Sequence, residues 1–426
     1  MAHSSRALAF QTLRHRDFRL LWIADCISIL GTQVQRTAII WQVFELTGSS
    51  FQLGLLGLFQ FVPMLAFGLF GGAIADRADR RKIMIGSHLA LMATSATLAM
   101  ATATGHVSMP LIYTMIFIAS SLNAFAGPAR QSLIPMLVPR EELAGAAATA
   151  NLAMQTAAIV GPAVAGFLIG WHGLTLCYVY DTLSFVAVIT AAKLIRARPV
   201  ATPTTQRGLA AIREGFRFLG ATPILLAIMT LDFVATFFGT FTTQLPIVAE
   251  ELLGAGAQGL GLLQSAPAAG AVIGSLIFSV LPIPRRAGLG VVLMVLAYGI
   301  CVLGFSLSPN LIVALLFLAG TGASDAISMA LRQTVRNLVT PDAYRGRIAA
   351  AHSTFAMGGP QLGELRAGTF ATWFGVPFAI GSGAVATILG CLIMVRIVPS
   401  LTRYRTDMAP VEDVVTSDDT RRATAD

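Results

Sequence analysis

The sequence predicts an all-α membrane protein: twelve transmembrane helices arranged as two parallel six-helix pseudo-repeats. Three observations lead there. Apolar residues make up 55% of the 426 residues and charged residues only 12%, with a mean hydropathy of +0.73. A soluble fold of this size buries less apolar surface than that, whereas a bilayer accommodates it. The apolar stretches divide into twelve membrane-length segments, and their charged joints alternate strictly in composition. Finally, the second half of the chain repeats the first.

Breaking the chain at charged or Gly/Pro-rich joints places the spans near 18–45, 51–75, 83–104, 109–130, 143–170, 173–195, 223–249, 257–281, 287–308, 310–332, 346–374 and 376–398. A helix crosses the hydrocarbon core in about 20 residues. The fifth and eleventh segments are longer, so they are expected to tilt or to begin outside the bilayer. Orientation follows from Lys and Arg. Arg6, Arg14, Arg16 and Arg19, the group Arg77, Arg80, Arg81 and Lys82, and Arg140 share one side. So do the cluster over 193–217, Arg285, Arg286, Arg336, Arg345, Arg347 and the tail arginines. The opposite joints (46–50, 105–108, 171–173, 250–256, 308–310 and 374–376) hold no Lys or Arg. The basic side is therefore expected to be cytoplasmic and to carry both termini.

The organisation read from these joints has five parts. Residues 1–17 form a basic cytoplasmic tail, without the short apolar core and small-residue cleavage site of a secretory signal. Residues 18–195 form the first six-helix bundle. Residues 196–222 form a polar linker whose 208–219 portion reads as an amphipathic basic surface helix. Residues 223–399 form the second bundle, and 400–426 a polar, disordered tail. The formal charge of +8 would suggest nucleic acid on a soluble protein. Here the basic residues sit thinly between apolar segments and set orientation, so no nucleic-acid partner is expected. Cys26, Cys177, Cys301 and Cys391 lie in apolar segments without a CxxC pair, and are read as packing residues that form neither a disulfide nor a metal site.

The repeat has a constant offset over much of its length. A shift of 202 aligns Arg130-Gln131 with Arg332-Gln333, Pro139 with Pro341, Gly161 with Gly363, Gly166 with Gly368, Trp171 with Trp373 and Gly173 with Gly375. A shift of 204 aligns Leu56-Gly57-Leu58 with Leu260-Gly261-Leu262, Gln60 with Gln264 and Pro63 with Pro267. Six spans is an even number, so both halves enter from the same side and are related by an axis along the membrane normal. Two such bundles meet at a central seam that can open to either side in turn, which is the geometry of a secondary transporter.

Gly72-Ala73-Ile74-Ala75-Asp76-Arg77-Ala78-Asp79-Arg80-Arg81-Lys82, between spans two and three, resembles the signature loop of the major facilitator superfamily, with Asp79 where that loop usually has Gly. Gly72 permits close helix contact, and Asp76 can accept from Arg77 or Arg80 as a latch between conformations. The plainer reading is a set of positive-inside anchors. In span five, Ala157 through Gly166 resembles an exporter-associated pattern around Gly161, Pro162 and Gly166, with Ala157 and Ala165 in place of two glycines. Tight helix packing explains the same residues. Arg16-Asp17-Phe18-Arg19-Leu20-Leu21-Trp22, Trp41 through Ser49 and Gly127-Pro128-Ala129-Arg130-Gln131 are similar to the branch of enterobactin-type siderophore exporters and macrolide-efflux-like proteins.

Ionisable groups at membrane depth are costly and mark function, wet cavities or ion pairs. Those inside spans are Asp25, Arg36, Asp181, Asp232, Asp325, His352, Glu364 and Arg366. The resemblance implies a cavity lined by spans one, four, seven and ten, which selects Asp25, Arg36, Asp232 and Asp325, with Glu364 a further transport candidate. Asp232 lies about 13 Å along its helix from Pro223 and is the first candidate to carry a proton. The alternative is structural ion pairing, with Asp25 or Asp325 against Arg332 or Arg336. Glu364 and Arg366 are two apart and share no helix face, so each needs a partner from another helix. His88 reads as a packing residue.

No P-loop, H-E-x-x-H or G-x-S-x-G occurs, so no enzymatic activity, catalytic residue, cofactor or metal is expected. The reading is a monomeric inner-membrane exporter of an amphipathic small molecule, drug-like or siderophore, working by alternating access with proton antiport. Uptake in the same fold, or a ligand-binding membrane receptor or scaffold that moves nothing, stays open.

Overall fold

A computed structural model describes residues 11–77, 79–196, 217–220, 222–280, 284–341 and 344–404; the side chains of 69–77, 345–347, 349–351, 353–355 and 357 lie outside it. Most of the surface helix expected over 208–219, and nearly all of the 400–426 tail, fall outside the described residues. Among the described residues twelve long helices follow in order: α1 Arg16–Thr47, α2 Ser50–Arg77, α3 Arg80–Ala103, α4 Met109–Leu133, α5 Leu143–His172, α6 Leu174–Leu194, α7 Pro223–Gly239, α8 Gly256–Val280, α9 Ala287–Ser306, α10 Leu311–Val339, α11 Arg345–Phe374 and α12 Val376–Ile397.

The helix ends follow local chemistry. Asn310 caps α10 by accepting from the Val313 amide at 3.0 Å, and Pro110 and Pro223 sit in the first turns of α4 and α7, where a missing N–H costs nothing. The Trp-x-Gly repeat marks equivalent turns. Gly173 and Gly375 join α5 to α6 and α11 to α12 with φ of 78° and 85°, a region that disfavours any Cβ. Asp79 replaces the expected glycine for a readable reason: its carboxylate caps α3 by accepting from the Arg81 amide at 3.0 Å. Asp79→Ala should cost about 1 kcal/mol of stability, the ordinary value of a helix cap, read as a small drop in unfolding temperature in detergent.

Among the described residues, ten segments each contain a stretch long and apolar enough to cross a membrane, α7 being counted together with the residues up to Leu252. The exceptions are α1 and α11, which carry Asp25, Gln33, Gln35 and Arg36, and His352, Gln361, Glu364 and Arg366. Both helices face the seam between halves. A helix polar at membrane depth must bury that face in protein or line a cavity.

The apolar cores show how the halves meet. At the end of the molecule without Lys or Arg, one core runs through both halves, joining Val34, Ile40, Leu53, Leu56, Ile169 and Tyr178 to Phe241, Leu260, Leu263 and Ile380. At the arginine-rich end the core splits in two. Phe18, Leu21, Met84 and Leu133 pack within the first half, and Leu225, Leu231, Val291 and Val335 within the second. The halves are therefore closed at one end and parted at the other.

Small residues make the closure. A methyl group added at Gly54 of α2 would lie 2.9 Å from the Gly368 Cα of α11, and one at Gly166 of α5 would lie 2.5 Å from the Ala257 carbonyl and 3.1 Å from the Gly261 Cα of α8. These two crossings, α2 with α11 and α5 with α8, are pseudo-symmetry mates. The hydrogen bonds that cross between halves among the described residues agree: Thr37 Oγ1 to Gln264 Oε1 (2.6 Å), Ser265 Oγ to the Ile159 carbonyl (2.6 Å) and Gln244 Nε2 to the Ser50 carbonyl (3.2 Å). All lie within about 20 Å, along their helices, of the ends that lack arginine.

Candidate functional site

The seventh span, legible in sequence as one apolar run to 249, is broken. Helix α7 stops at Gly239; Thr240 and Phe241 leave helical geometry; a 3-10 turn at Thr242–Gln244 restarts the chain, which continues as a short α-turn and a π-turn to Leu252. A break at membrane depth strands carbonyls on one side and amides on the other. Helix α11 supplies both partners. Glu364 accepts from the Thr242 amide (3.0 Å), the Thr243 amide (3.0 Å) and the Thr243 hydroxyl (2.7 Å). Arg366 donates to the Phe238 carbonyl at 2.7 Å and to the Ala379 carbonyl of α12 at 3.3 Å, and the Tyr298 hydroxyl donates to the Gly239 carbonyl at 3.1 Å. Acid at the restarted N-terminus and base at the finished C-terminus also suit the helix dipole. Thus Glu364 and Arg366, two residues apart on different faces, hold opposite sides of one elbow.

Beside this elbow lies a cavity of about 210 Å³, lined by Arg36 and Ile40 of α1, Gly57 and Gln60 of α2, Thr240, Thr242 and Thr243 of the elbow, and Pro360, Gln361 and Glu364 of α11. It lies at the seam, between both halves. Spans one, two, seven and eleven form its wall, where the resemblance implied one, four, seven and ten. Of the candidates, Arg36 and Glu364 reach it. Asp25, Asp232 and Asp325 do not; Asp232 precedes Thr240 by about 12 Å along α7, toward the arginine-rich end.

Those three acids form two pairings, one per half. Asp25 of α1 faces Arg130 of α4 at 3.6 Å. Asp232 of α7 meets Arg332 of α10 at 3.0 Å, and Arg332 also holds Asp325, one of whose oxygens lies 3.2 Å away. His352 Nε2 of α11 stands 3.6 Å from the other oxygen of Asp232. Arg336, hydrogen-bonded to Gln333, completes the wall of a narrow recess with Asp232, Arg332 and His352. The repeated Arg130-Gln131 and Arg332-Gln333 therefore supply the bases of two equivalent first-to-fourth-helix bridges. Arg332 and Asp232 are both buried, while half of the Asp325 side chain is exposed.

The other candidates occupy more structural settings. Arg80 donates to the Ser132 carbonyl at 3.3 Å, and Arg81 to the Lys193 and Ile195 carbonyls at 2.5 and 3.3 Å, so both tie α3 to the ends of α4 and α6 within one half. The side chains of Asp76 and Arg77, and the surroundings of Gly72, lie outside the described residues. Gly161 packs against Gln33 of α1, and the Pro162 carbonyl and Gly166 against α8. His88 bonds the Met84 carbonyl at 2.7 Å and meets the Phe185 ring edge-on, as a packing residue does. A buried polar chain that sequence did not join runs from Gln35 through Ser95 to Asp181 at 2.9 Å per step.

The sequence model of the transmembrane secretion effector family, within the major facilitator superfamily, matches residues 7–417. The chain belongs to that family. It is a multi-pass, non-enzymatic secondary transporter. Its similarity extends to the enterobactin exporter EntS of Escherichia coli O81 (strain ED1a), 27% identical over 392 residues, covering 92% of this chain and 94% of that one. The EntS of Escherichia fergusonii matches with the same identity and coverage. Two solved structures share the fold: a bacterial homolog of the human lysosomal transporter Spinster, inward-facing and unoccupied (TM-score 0.64, 16% identity, 91% of this chain and 96% of that one), and a POT family transporter in complex with 5-aminolevulinic acid (TM-score 0.73, 10% identity, 91% and 97%).

Proposed function

We propose that this family member is a monomeric exporter in the bacterial inner membrane, with both termini cytoplasmic, that moves an amphipathic small molecule of siderophore or drug-like type by alternating access in exchange for protons. Segregation of Lys and Arg to one set of joints supports the orientation. Family membership and the 27% identity to an enterobactin exporter support export and the substrate type.

The observation that carries proton coupling is the shared Arg332. A proton on Asp232 cancels its attraction to Arg332, yet the guanidinium keeps Asp325 at 3.2 Å. Helices α7 and α10 are then free to part at this level without stranding a bare buried cation, which would cost several kcal/mol. Protonation thereby biases a two-state element on one rocking half. Glu364 is less suited to the task, because three donors at the elbow already hold its carboxylate.

The test is transport in proteoliposomes under an imposed proton gradient, using a panel of siderophores and drugs first narrowed by susceptibility of deletion and overexpression strains. Asp232→Asn should insert normally and lose gradient-driven flux by about a hundredfold or more, a barrier change of about 3 kcal/mol. Wild-type coupled flux in that variant would remove Asp232 from the mechanism.

A further inference from the structure

The elbow cavity contains one formal negative charge and one formal positive charge, and they are not equivalent. Both Glu364 oxygens accept hydrogen bonds from the elbow, so the carboxylate is committed to the fold. Arg36 is different. It is exposed on the cavity wall, and among the described residues it makes no hydrogen bond or ion pair; its influence on Glu364 acts through space. It sits about 16 Å along α1 from Thr47, well inside the membrane-spanning part of the helix. A guanidinium at that depth without a bonded acid is costly unless a wet cavity or a ligand serves it. Gln361 lines the same wall, and among the described residues its Oε1 has no hydrogen-bond partner. The remaining wall combines Ile40, Gly57 and Pro360 with the hydroxyls of Thr240 and Thr242.

We propose that Arg36 is the recognition residue for an anionic group of the substrate, so that the transported molecule is an amphipathic anion. This rests on the transporter reading above and narrows its substrate class. The cation offered by the wall selects a carboxylate or a comparably compact oxyanion, because a planar guanidinium donates two parallel hydrogen bonds to such groups. A cationic substrate would meet Arg36 directly and find Glu364 already bonded. The coupling logic changes accordingly. The proton site at Asp232 and the substrate charge at Arg36 lie on different halves and different levels, so a proton and an anion need not compete for one acid. The link between them is α7, which runs from Asp232 to the elbow on the cavity wall.

Direct binding tests this without requiring flux. The purified full chain is placed in phosphatidylcholine nanodiscs and titrated with three probes sharing one ring system: 1-naphthylacetate, 1-naphthylacetamide and 2-(1-naphthyl)ethylammonium. The anion should bind about tenfold more tightly than either analogue, the scale of one hydrogen-bonded charge. Arg36→Gln should abolish that preference and Arg36→Lys keep part of it. Arg286→Gln, which removes an exposed charge away from the cavity, should leave it unchanged. Replacing a fifth of the lipid with phosphatidylglycerol separates two sources of the anion. Loss of naphthylacetate affinity that depends on Arg36 assigns the site to a lipid headgroup, and unchanged affinity to a soluble anion; either result supports the charge assignment. Equal affinity for the three probes, a preference that survives Arg36→Gln, or no naphthylacetate binding at millimolar concentration would overturn it. Export of uncharged compounds alongside such a result would leave the transporter reading standing. Anion binding at Arg36 without flux would do the reverse.

Discussion

Arg332→Ala should destabilise the protein by about 3–5 kcal/mol, more than any single acid replacement around it. The reason is the geometry of sharing. Arg332 is buried and holds Asp232 at 3.0 Å and Asp325 at 3.2 Å. Removing it leaves two carboxylates facing one another with only His352, 3.6 Å from Asp232, beside them, and like charges in a low-dielectric setting repel. Removing Asp232 strands nothing, since Arg332 keeps Asp325, so Asp232→Asn should cost only about 1 kcal/mol. The paired variant Asp232→Asn with Arg332→Gln should recover part of the loss, because a buried ion pair is replaced by neutral hydrogen-bonding groups. Thermal unfolding in detergent reads all three. Arg130→Ala gives the internal comparison: its partner Asp25 is 3.6 Å away and its side chain is 29% exposed, so its loss should be milder. If Arg332→Ala and Asp232→Asn cost the same, the shared bridge is not what holds α7 to α10, and a proton on Asp232 would not free the two helices.

That bridge also shows where sequence reading reaches and where it stops. The constant shift of 202 exposed Arg130 and Arg332 as equivalents. Their acids, Asp25 and Asp232, are 207 apart, because the halves differ in length before the fourth helix of each. No single offset could pair acids and bases together, and the pairing became visible only when first and fourth helices were laid side by side. The elbow of α7 was hidden for another reason. Leu245 through Ala249 resumes the apolar run of the span, and no Gly-Pro pair punctuates Thr240 through Leu252. What permits the break is Glu364, more than a hundred residues away, whose carboxylate satisfies the freed amides. Sequence did establish that Glu364 and Arg366 needed partners from other helices, since two residues apart they face different ways. It could not say that both partners were the two sides of one gap. The span count survived because it rested on joints and charge alternation; hydropathy alone passes over α1 and α11, whose polar faces form the seam.

Gly261→Leu should lock the molecule away from its closed state, lowering transport by tenfold or more while leaving the quantity of inserted protein unchanged. A Cβ at Gly261 would press on the Pro162 carbonyl and lie 3.2 Å from the Cα atoms of Ala163 and Gly166. These are backbone atoms of α5, which cannot rotate aside as a side chain would. Overpacking of this kind costs about 1–3 kcal/mol, and here the whole penalty falls on the conformation in which α5 and α8 touch. Each 1.4 kcal/mol moves a two-state equilibrium about tenfold, so the arginine-free end opens in a large share of molecules. Gly54→Leu should act alike at the α2–α11 crossing, where the Gly368 Cα stands 2.9 Å from the built methyl. A cysteine at Gln361, on the cavity wall, reports the change in a background lacking the partly exposed thiols Cys26 and Cys301. In the parent it should react with an impermeant maleimide applied at the arginine-rich face; in either leucine variant it should react from the opposite face. Unchanged sidedness would mean that these glycines are ordinary packing residues and that closure is set elsewhere. Gly261→Ala separates steric wedging from misfolding, since a single methyl should give an intermediate shift in sidedness, whereas a folding defect would remove protein from the membrane without changing which face the remainder presents.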